Sequence, residues 1–301
     1  MSRRAWPGVP SAPESVSATI GAVSLIPDAP KPVMVMTPDG ISIATYDFGA
    51  GNIGTGDSGE GETGEELGAD APTVLAVHGF ASSALGNFHA TGWVRELRRA
   101  GYRVIAMDQR GHGSSSKPRE PTAYTMEALV TDVRVVMDTY LLDDISFVGY
   151  SLGARVGWHA ALAYPVEITR AVLGGIPDGD PLTRFRVDEA KEFLATGVPV
   201  QDRLTQAYLT MAGQLDNDLV ALVALVEGMR GGAQPDRANP PAQPILFAAG
   251  SEDGILEASR SLAAATPRGE FFLIPGRNHF NAPTSRHFRD AALAFLEADE
   301  R

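Results

Sequence analysis

The 301-residue sequence contains no cysteine. Disulfide bonds, thiolate nucleophiles and cysteine metal ligands are therefore excluded, although the redox compartment is left open. The sequence also has no stretch that approaches the roughly 18 consecutive apolar residues of a membrane-spanning helix. We therefore expect a soluble chain with no membrane partner.

Basic residues are in the minority, since 25 lysines and arginines stand against 37 acidic side chains and give a formal charge of −12. A surface of this sign repels phosphate backbones and anionic lipids on average. We expect no nucleic-acid partner, and a small molecule is the predicted ligand. The sequence does not indicate an oligomeric state.

The N-terminus begins Ser2-Arg3-Arg4, and paired arginines can open a bacterial export signal. Such a signal needs an uninterrupted apolar stretch of roughly 7–15 residues soon afterwards. Here Pro7, Pro10 and Pro13 interrupt the segment. The sequence therefore favours a cytoplasmic location over export.

Two segments have the composition of disordered chain. Residues 1–30 are rich in proline, serine and alanine, and residues 49–71 combine many glycines with six acids and no base. Such compositions bury too little apolar surface to become ordered. We predict a disordered N-terminal segment and an acidic, glycine-rich loop insertion.

The remaining chain alternates short apolar runs with segments of helical periodicity, which predicts βαβ units and a mainly parallel sheet. The first two runs flank a Pro38-Asp39-Gly40 turn and predict an antiparallel hairpin. A polar, helix-prone stretch at 178–238 is predicted to be a cap with its connecting helix, inserted into a core of residues 31–177 and 239–301. The predicted strands are 33–37, 41–48, 73–77, 104–107, 145–148, 171–173, 245–249 and 271–274; the predicted core helices are 93–100, 126–140, 152–164, 256–265 and 285–298.

One motif carries chemistry: Gly149-Tyr150-Ser151-Leu152-Gly153 follows a predicted strand and opens a predicted helix. A GxSxG pattern alone is weak, but this strand-to-helix context is typical of a nucleophile elbow, where the serine projects above the sheet edge. The sequence therefore predicts Ser151 as a nucleophile.

A serine nucleophile needs a base that is oriented by an acid. Asp253 and His279 each follow a late predicted strand, so both should reach the carboxyl edge of the sheet near Ser151. The order along the chain is serine, acid, histidine. The other acids that could serve are Glu252, Asp178 and Asp180.

An oxyanion hole is the next requirement, because charge develops on the carbonyl oxygen. The loop His78-Gly79-Phe80 follows the third strand, so the backbone N–H groups of Phe80 and Leu152 are the predicted donors. His78 is predicted to support this loop rather than to act as a base. The predicted pocket residues are Phe80, whose ring either lines the pocket or packs, together with Tyr150 and Phe280.

With these motifs assembled, residues 32–298 resemble the α/β-hydrolase superfamily. The segment Asp108-Gln109-Arg110-Gly111-His112-Gly113-Ser114-Ser115 resembles the family's DxRGxGxS loop, and the contexts GSEDG and GRNHF of the acid and the histidine are also similar. The resemblance implies an α/β fold with a mostly parallel eight-stranded sheet, flanking helices and a small helical cap. It also implies that Arg110 and His112 support the structure. Dehalogenases and epoxide hydrolases of the family place aspartate at the elbow, so Ser151 argues against both.

The resemblance and the triad together predict a carboxylic ester hydrolase that works through an acyl-enzyme and needs no metal or organic cofactor. Substrate choice is expected to lie in the cap and the loop after residue 80, with a small or medium uncharged ester favoured. Lactonase, thioesterase and perhydrolase activities stay open. A carbon–carbon bond hydrolase would use the same triad and would need a basic clamp, for which Arg155, Arg184 and Arg186 are candidates. A ligand-binding protein without activity is a further alternative.

Overall fold

The computed structural model describes residues 29–49, 71–180, 182–214 and 217–298. The predicted disordered segment at 1–30 and the predicted acidic loop at 49–71 lie almost entirely outside the described residues. Within the described ranges, none of the helices combines the length and the hydropathy that a membrane crossing requires.

In the described chain, eight strands form one sheet, which confirms the predicted fold class. The second strand runs antiparallel to both of its neighbours and all other pairs are parallel. The strands are β1 (Val33–Met36), β2 (Ser42–Phe48), β3 (Thr73–Val77), β4 (Arg103–Met107), β5 (Ile145–Tyr150), β6 (Ile168–Gly174), β7 (Ile245–Gly250) and β8 (Gly269–Ile274). Their order across the sheet is β1-β2-β4-β3-β5-β6-β7-β8.

Helices cover both faces of the sheet, and three more lie between β6 and β7 in the sequence. Alternate residues of the central strands face opposite sides: Leu75 belongs to the apolar cluster on one face and Val74 to the cluster on the other. Because both faces are covered, these strands are apolar at nearly every position. The helices are α1 (Trp93–Arg99), α2 (Met126–Thr139), α3 (Leu152–Ala163), α4 (Val187–Thr196), α5 (Arg203–Gln214), α6 (Leu219–Met229), α7 (Leu256–Ala265) and α8 (Arg286–Leu296).

The register of the strands brings the loops that carry the candidate site residues to the carboxyl edge of the sheet. Val77, the last residue of β3, pairs with Gly149 near the end of β5, and Ala248 of β7 pairs with Gly174 at the end of β6. The loops that leave β3, β5, β7 and β8 therefore emerge side by side at the carboxyl edge of the sheet, where open α/β sheets bind their ligands.

A buried ion-pair network ties the loop after β4 to α2. The Arg110 guanidinium, 1% exposed, donates to both carboxylate oxygens of Asp132 at 2.7 and 2.6 Å. It also donates to Asp39 at 2.8 Å. These bonds hold the segment that resembles the family's DxRGxGxS loop in place beneath the site.

We expect Asp132→Asn to lower the free energy of unfolding by about 3 kcal/mol, because the half-exposed Asp39 is then the one carboxylate among the described residues that still pairs with the buried Arg110 charge. Urea unfolding followed by circular dichroism measures this loss. The matched control is Asp138→Asn on the same helix, whose exposed ion pair with Arg134 should contribute less than about 1 kcal/mol. Equal losses in the two variants would contradict the assigned role of Arg110.

Candidate active site

Ser151 occupies a sharp turn between β5 and α3. Its backbone lies at φ 53° and ψ −111°, a conformation that L-residues rarely adopt. The turn is compact, since a Cβ on Gly149 would lie 2.5 Å from the carbonyl oxygen of Gly153, and a Cβ on Gly153 would collide with the carbonyl oxygen of Val77. Glycines are therefore required on both sides of the serine, and the strained turn exposes its hydroxyl.

Ser151, His279 and Asp253 form a continuous hydrogen-bonded chain. His279 Nε2 lies 2.8 Å from Ser151 Oγ, and His279 Nδ1 lies 2.8 Å from Asp253 Oδ2. With Asp253 ionised, Nδ1 carries the proton and Nε2 is free to accept one from the serine hydroxyl. This is the arrangement that activates a serine for nucleophilic attack.

Asp253 is the described acid that reaches the histidine. Its side chain is 2% exposed, and Oδ1 accepts a hydrogen bond from the Ile255 N–H at 3.1 Å, which fixes the carboxylate. The alternative acids of the sequence prediction do not take this place. Glu252 is exposed, and Asp180 accepts a hydrogen bond from the Gly231 N–H at 2.7 Å. No hydrogen bond joins Asp178 to the histidine among the described residues.

Tyr150 holds the loop that carries His279, the predicted base. Its hydroxyl donates to the backbone carbonyl of His279 at 2.5 Å. Burial raises the pKa of Tyr150 well above its ordinary value, so the phenol stays a neutral donor. In α5, Tyr208 faces the same region, and burial raises its pKa to about 12. Neither tyrosine supplies a phenolate near neutral pH.

The two predicted oxyanion donors lie on either side of the nucleophile. Leu152 is the first residue of α3, where backbone N–H groups lack an intrahelical acceptor. Phe80 follows Gly79, on which a Cβ would lie only 3.2 Å from Ser151 Cβ. The backbone of the loop after β3 thus passes directly beside Ser151. The N–H groups of Phe80 and Leu152 stay the predicted donors to a developing oxyanion.

Two buried neutral histidines support this loop. His78 Nε2 accepts from the Gln109 N–H at 3.0 Å, and its Nδ1 donates to the Gly79 carbonyl at 2.7 Å. His112 Nε2 accepts from the N–H of Ala81 at 3.0 Å. Burial lowers the pKa of both histidines, so each stays neutral and keeps an acceptor nitrogen for these bonds. Their contacts are structural, and neither histidine bonds to Ser151.

A cavity of about 230 Å³ opens at the triad. Its walls come from the loop after β3, from α5 of the cap, and from the segment that follows His279. The three predicted pocket residues all line it, and the Phe80 ring does so while packing against Tyr208 at 5.2 Å between ring centroids. The lining residues are Gly79, Phe80, Ser82, Gly86, Asn87, Thr91, Tyr150, Ser151, Tyr208, Met211, His279, Phe280, Pro283 and Thr284.

No lysine or arginine is among the described residues that line this cavity. Arg155 is buried, donates to the Gly179 carbonyl at 2.6 Å, and has its pKa lowered by burial to about 10. Arg184 and Arg186 are not lining residues either. Within the described residues, histidine, aspartate and glutamate side chains form no cluster of three or more that could hold a metal ion.

Comparison with known proteins agrees with this geometry. A family model described as the alpha/beta hydrolase fold matches residues 72–201, which include the loop after β3 and the serine turn. Residues 72–201 match the α/β-hydrolase family, and the eight-stranded sheet of the described residues has the α/β-hydrolase fold.

Among curated members, the chain is similar to epoxide hydrolase B of Mycobacterium tuberculosis, with 43% identity over 106 residues. That match covers 35% of this chain and spans 29% of the length of the curated relative. The matched segment is therefore less than a third of that relative's length, and the likeness concerns that segment alone.

Solved structures of the superfamily resemble nearly the whole chain. The enol-lactonase from Burkholderia xenovorans LB400 superposes with a TM-score of 0.68 and 20% identity, covering 88% of this chain and 100% of that one. A thermophilic esterase from Thermogutta terrifontis gives a TM-score of 0.65 and 22% identity, covering 89% and 98%. At these identities the likeness shows the shared fold.

Proposed function

We propose that this chain is a serine hydrolase that cleaves a small, uncharged carboxylic ester through an acyl-enzyme on Ser151. The observation that carries the proposal is the hydrogen-bonded triad, with both Ser151–His279 and His279–Asp253 at 2.8 Å. A serine in a strained turn, a base within reach and a buried acid behind it are the parts that acyl transfer requires.

In this mechanism Ser151 Oγ attacks the ester carbonyl while His279 Nε2 takes the hydroxyl proton. The N–H groups of Phe80 and Leu152 stabilise the oxyanion. His279 then gives its proton to the departing alcohol, which leaves an acyl group on Ser151. Water attacks this acyl group with the same histidine as base, and the carboxylic acid is released. Asp253 holds the imidazole tautomer and stabilises the imidazolium in both halves.

The size of the cavity supports a small acyl group. Its volume of about 230 Å³ is below the roughly 300–1,000 Å³ of sites for drug-sized ligands. Phe80, Tyr208 and Met211 supply apolar wall, and the described lining carries no cation. An uncharged substrate is favoured because a carboxylate would lose its hydration here without a partner.

The rival chemistries lack specific support in the site. A carbon–carbon hydrolase of a keto acid would need a basic clamp, and Arg155, Arg184 and Arg186 are all absent from the cavity lining. Epoxide hydrolases and dehalogenases of the superfamily use an elbow aspartate, whereas this chain has Ser151. A lactone is an internal ester, so lactonase activity stays within the proposed chemistry.

The test is hydrolysis of p-nitrophenyl esters from acetate to decanoate. We expect kcat/KM to be highest between acetate and hexanoate and to fall by about tenfold or more at decanoate, because a long chain overfills the cavity. Met211→Ala enlarges the cavity and should raise the decanoate-to-butyrate ratio. A wild-type enzyme that prefers decanoate would refute the small-acyl assignment, and no turnover of any ester would refute the ester assignment.

A further inference from the structure

Asn87 lines the cavity and lies in an unusual stretch of backbone. It belongs to a five-residue π-helical turn, Leu85–His89, in the loop that follows the oxyanion donor Phe80. Single π-helical turns are rare and are frequent at functional sites. The side chain is buried, with 6% of its surface exposed.

The orientation of the Asn87 amide is fixed by its surroundings. Its Oδ1 accepts a hydrogen bond from the Gly79 N–H at 3.3 Å. The reverse orientation would turn the amide NH₂ toward another N–H donor, which the hydrogen-bonding pattern excludes. Asn87 therefore anchors the loop beside Ser151 through its oxygen and leaves its nitrogen for another role.

Within the described chain, the amide nitrogen of Asn87 lacks the hydrogen-bond partner that a buried donor normally has. Asn87 Nδ2 is buried and has no hydrogen-bond partner among the described residues. Buried amide groups are normally paired, and an unpaired donor is costly. Because the cavity borders this residue, an acceptor atom of a bound substrate can supply the missing partner.

We propose that Asn87 is a specificity-determining residue that donates a hydrogen bond from Nδ2 to an oxygen of the substrate close to the scissile carbonyl. The inference rests on the proposed ester hydrolysis. The nitrogen is a donor only, so the recognised group is an acceptor, and the uncharged lining favours a neutral oxygen. The substrate class is thus a small ester whose acyl chain carries an ether, hydroxyl or keto oxygen next to the carbonyl.

The hydrogen bond between Gly79 and Asn87 indicates where the substrate oxygen that accepts from Nδ2 must lie. Asn87 Oδ1 is bonded to the backbone of Gly79, the residue that passes beside Ser151, so the side chain lies next to the reacting centre. An oxygen one or two bonds from the carbonyl carbon is therefore within reach. A further oxyanion donor is a different role, since it would accelerate all esters alike.

The test compares p-nitrophenyl methoxyacetate with p-nitrophenyl butyrate, which differ by one ether oxygen in place of a methylene. Dividing the enzymatic kcat/KM ratio of the two esters by their ratio in hydroxide-catalysed hydrolysis removes their intrinsic reactivity. We expect this corrected preference for methoxyacetate to be about tenfold in the wild type. At pH 8, Asn87→Asp keeps an acceptor for the Gly79 N–H and loses the donor, so the preference should fall to about one.

Asn239→Asp is the matched control, because it makes the same change of charge on an exposed turn outside the cavity lining and should keep the wild-type preference. A wild type without preference overturns the inference, even if Asn87→Asp does not fold. Equal loss on both esters in Asn87→Asp also overturns it and leaves Asn87 as a loop-positioning residue. Failure of the wild type to cleave either ester refutes the proposed function instead.

Discussion

Asp253→Asn is expected to lower kcat for ester hydrolysis by a factor on the order of 10⁴. The asparagine fills the same space and can still accept from the Ile255 N–H. Its amide nitrogen would, however, donate to His279 Nδ1, which places the imidazole proton on Nε2. A protonated Nε2 cannot accept the proton of Ser151, so the base is lost while the structure is kept.

Neighbouring acids provide the controls for this prediction. Glu252→Gln changes an exposed side chain beside Asp253, and Asp180→Asn changes the acid that accepts from the Gly231 N–H. Both variants should keep kcat within about threefold of the wild type, as expected for side chains that do not touch the reacting groups. Equal thermal midpoints of the wild type and Asp253→Asn would show that the loss is catalytic. A large loss in Asp180→Asn together with an active Asp253→Asn would reassign the acid.

The triad could be predicted from sequence because its signals are local. Ser151 lies in a short motif between a recognisable strand and helix, and Asp253 and His279 each follow a strand. In a parallel sheet the carboxyl ends of strands share one edge, so three separate segments can be placed together without knowing their contacts. The eight-stranded sheet followed from the same periodicity.

The cavity walls could not be predicted residue by residue. Tyr208 and Phe80 are far apart in the sequence, and their contact depends on how α5 packs over the sheet, which helical periodicity does not encode. Asn87 has no sequence signal at all, since a single asparagine in a loop is typical of turns. Its importance depends on the unpaired nitrogen that only the structure shows.

Strand limits differ from the prediction for a related reason. The sixth strand begins at Ile168, three residues before the predicted start at 171. Thr169 and Arg170 are polar and interrupt the apolar run, but Arg170 is partly buried and donates to the carbonyls of Phe295 and Leu296 at 2.7 and 2.9 Å. Arg170 therefore belongs to the strand and stabilises the end of α8, although its polar side chain gives no sequence signal for a buried strand.

The largest effect is expected from Ser151→Ala, which removes the proposed nucleophile. We expect kcat for p-nitrophenyl acetate to fall by at least about 10⁴-fold, with the remaining rate due to the oxyanion donors and binding alone. Ser251→Ala is the matched control. It removes a hydroxyl from an exposed turn, where the oxygen accepts from the Gly276 N–H, and activity should stay near that of the wild type.

The most direct measurement is therefore the reaction of wild type and Ser151→Ala with p-nitrophenyl acetate, with rapid quenching and mass analysis of the peptides. We predict an acetyl group on Ser151 of the wild type, a burst of p-nitrophenol if deacylation is slow, and neither acetylation nor significant turnover in the variant. Turnover at the wild-type rate in Ser151→Ala would show that the ester is cleaved without this serine, and the proposed mechanism would be wrong.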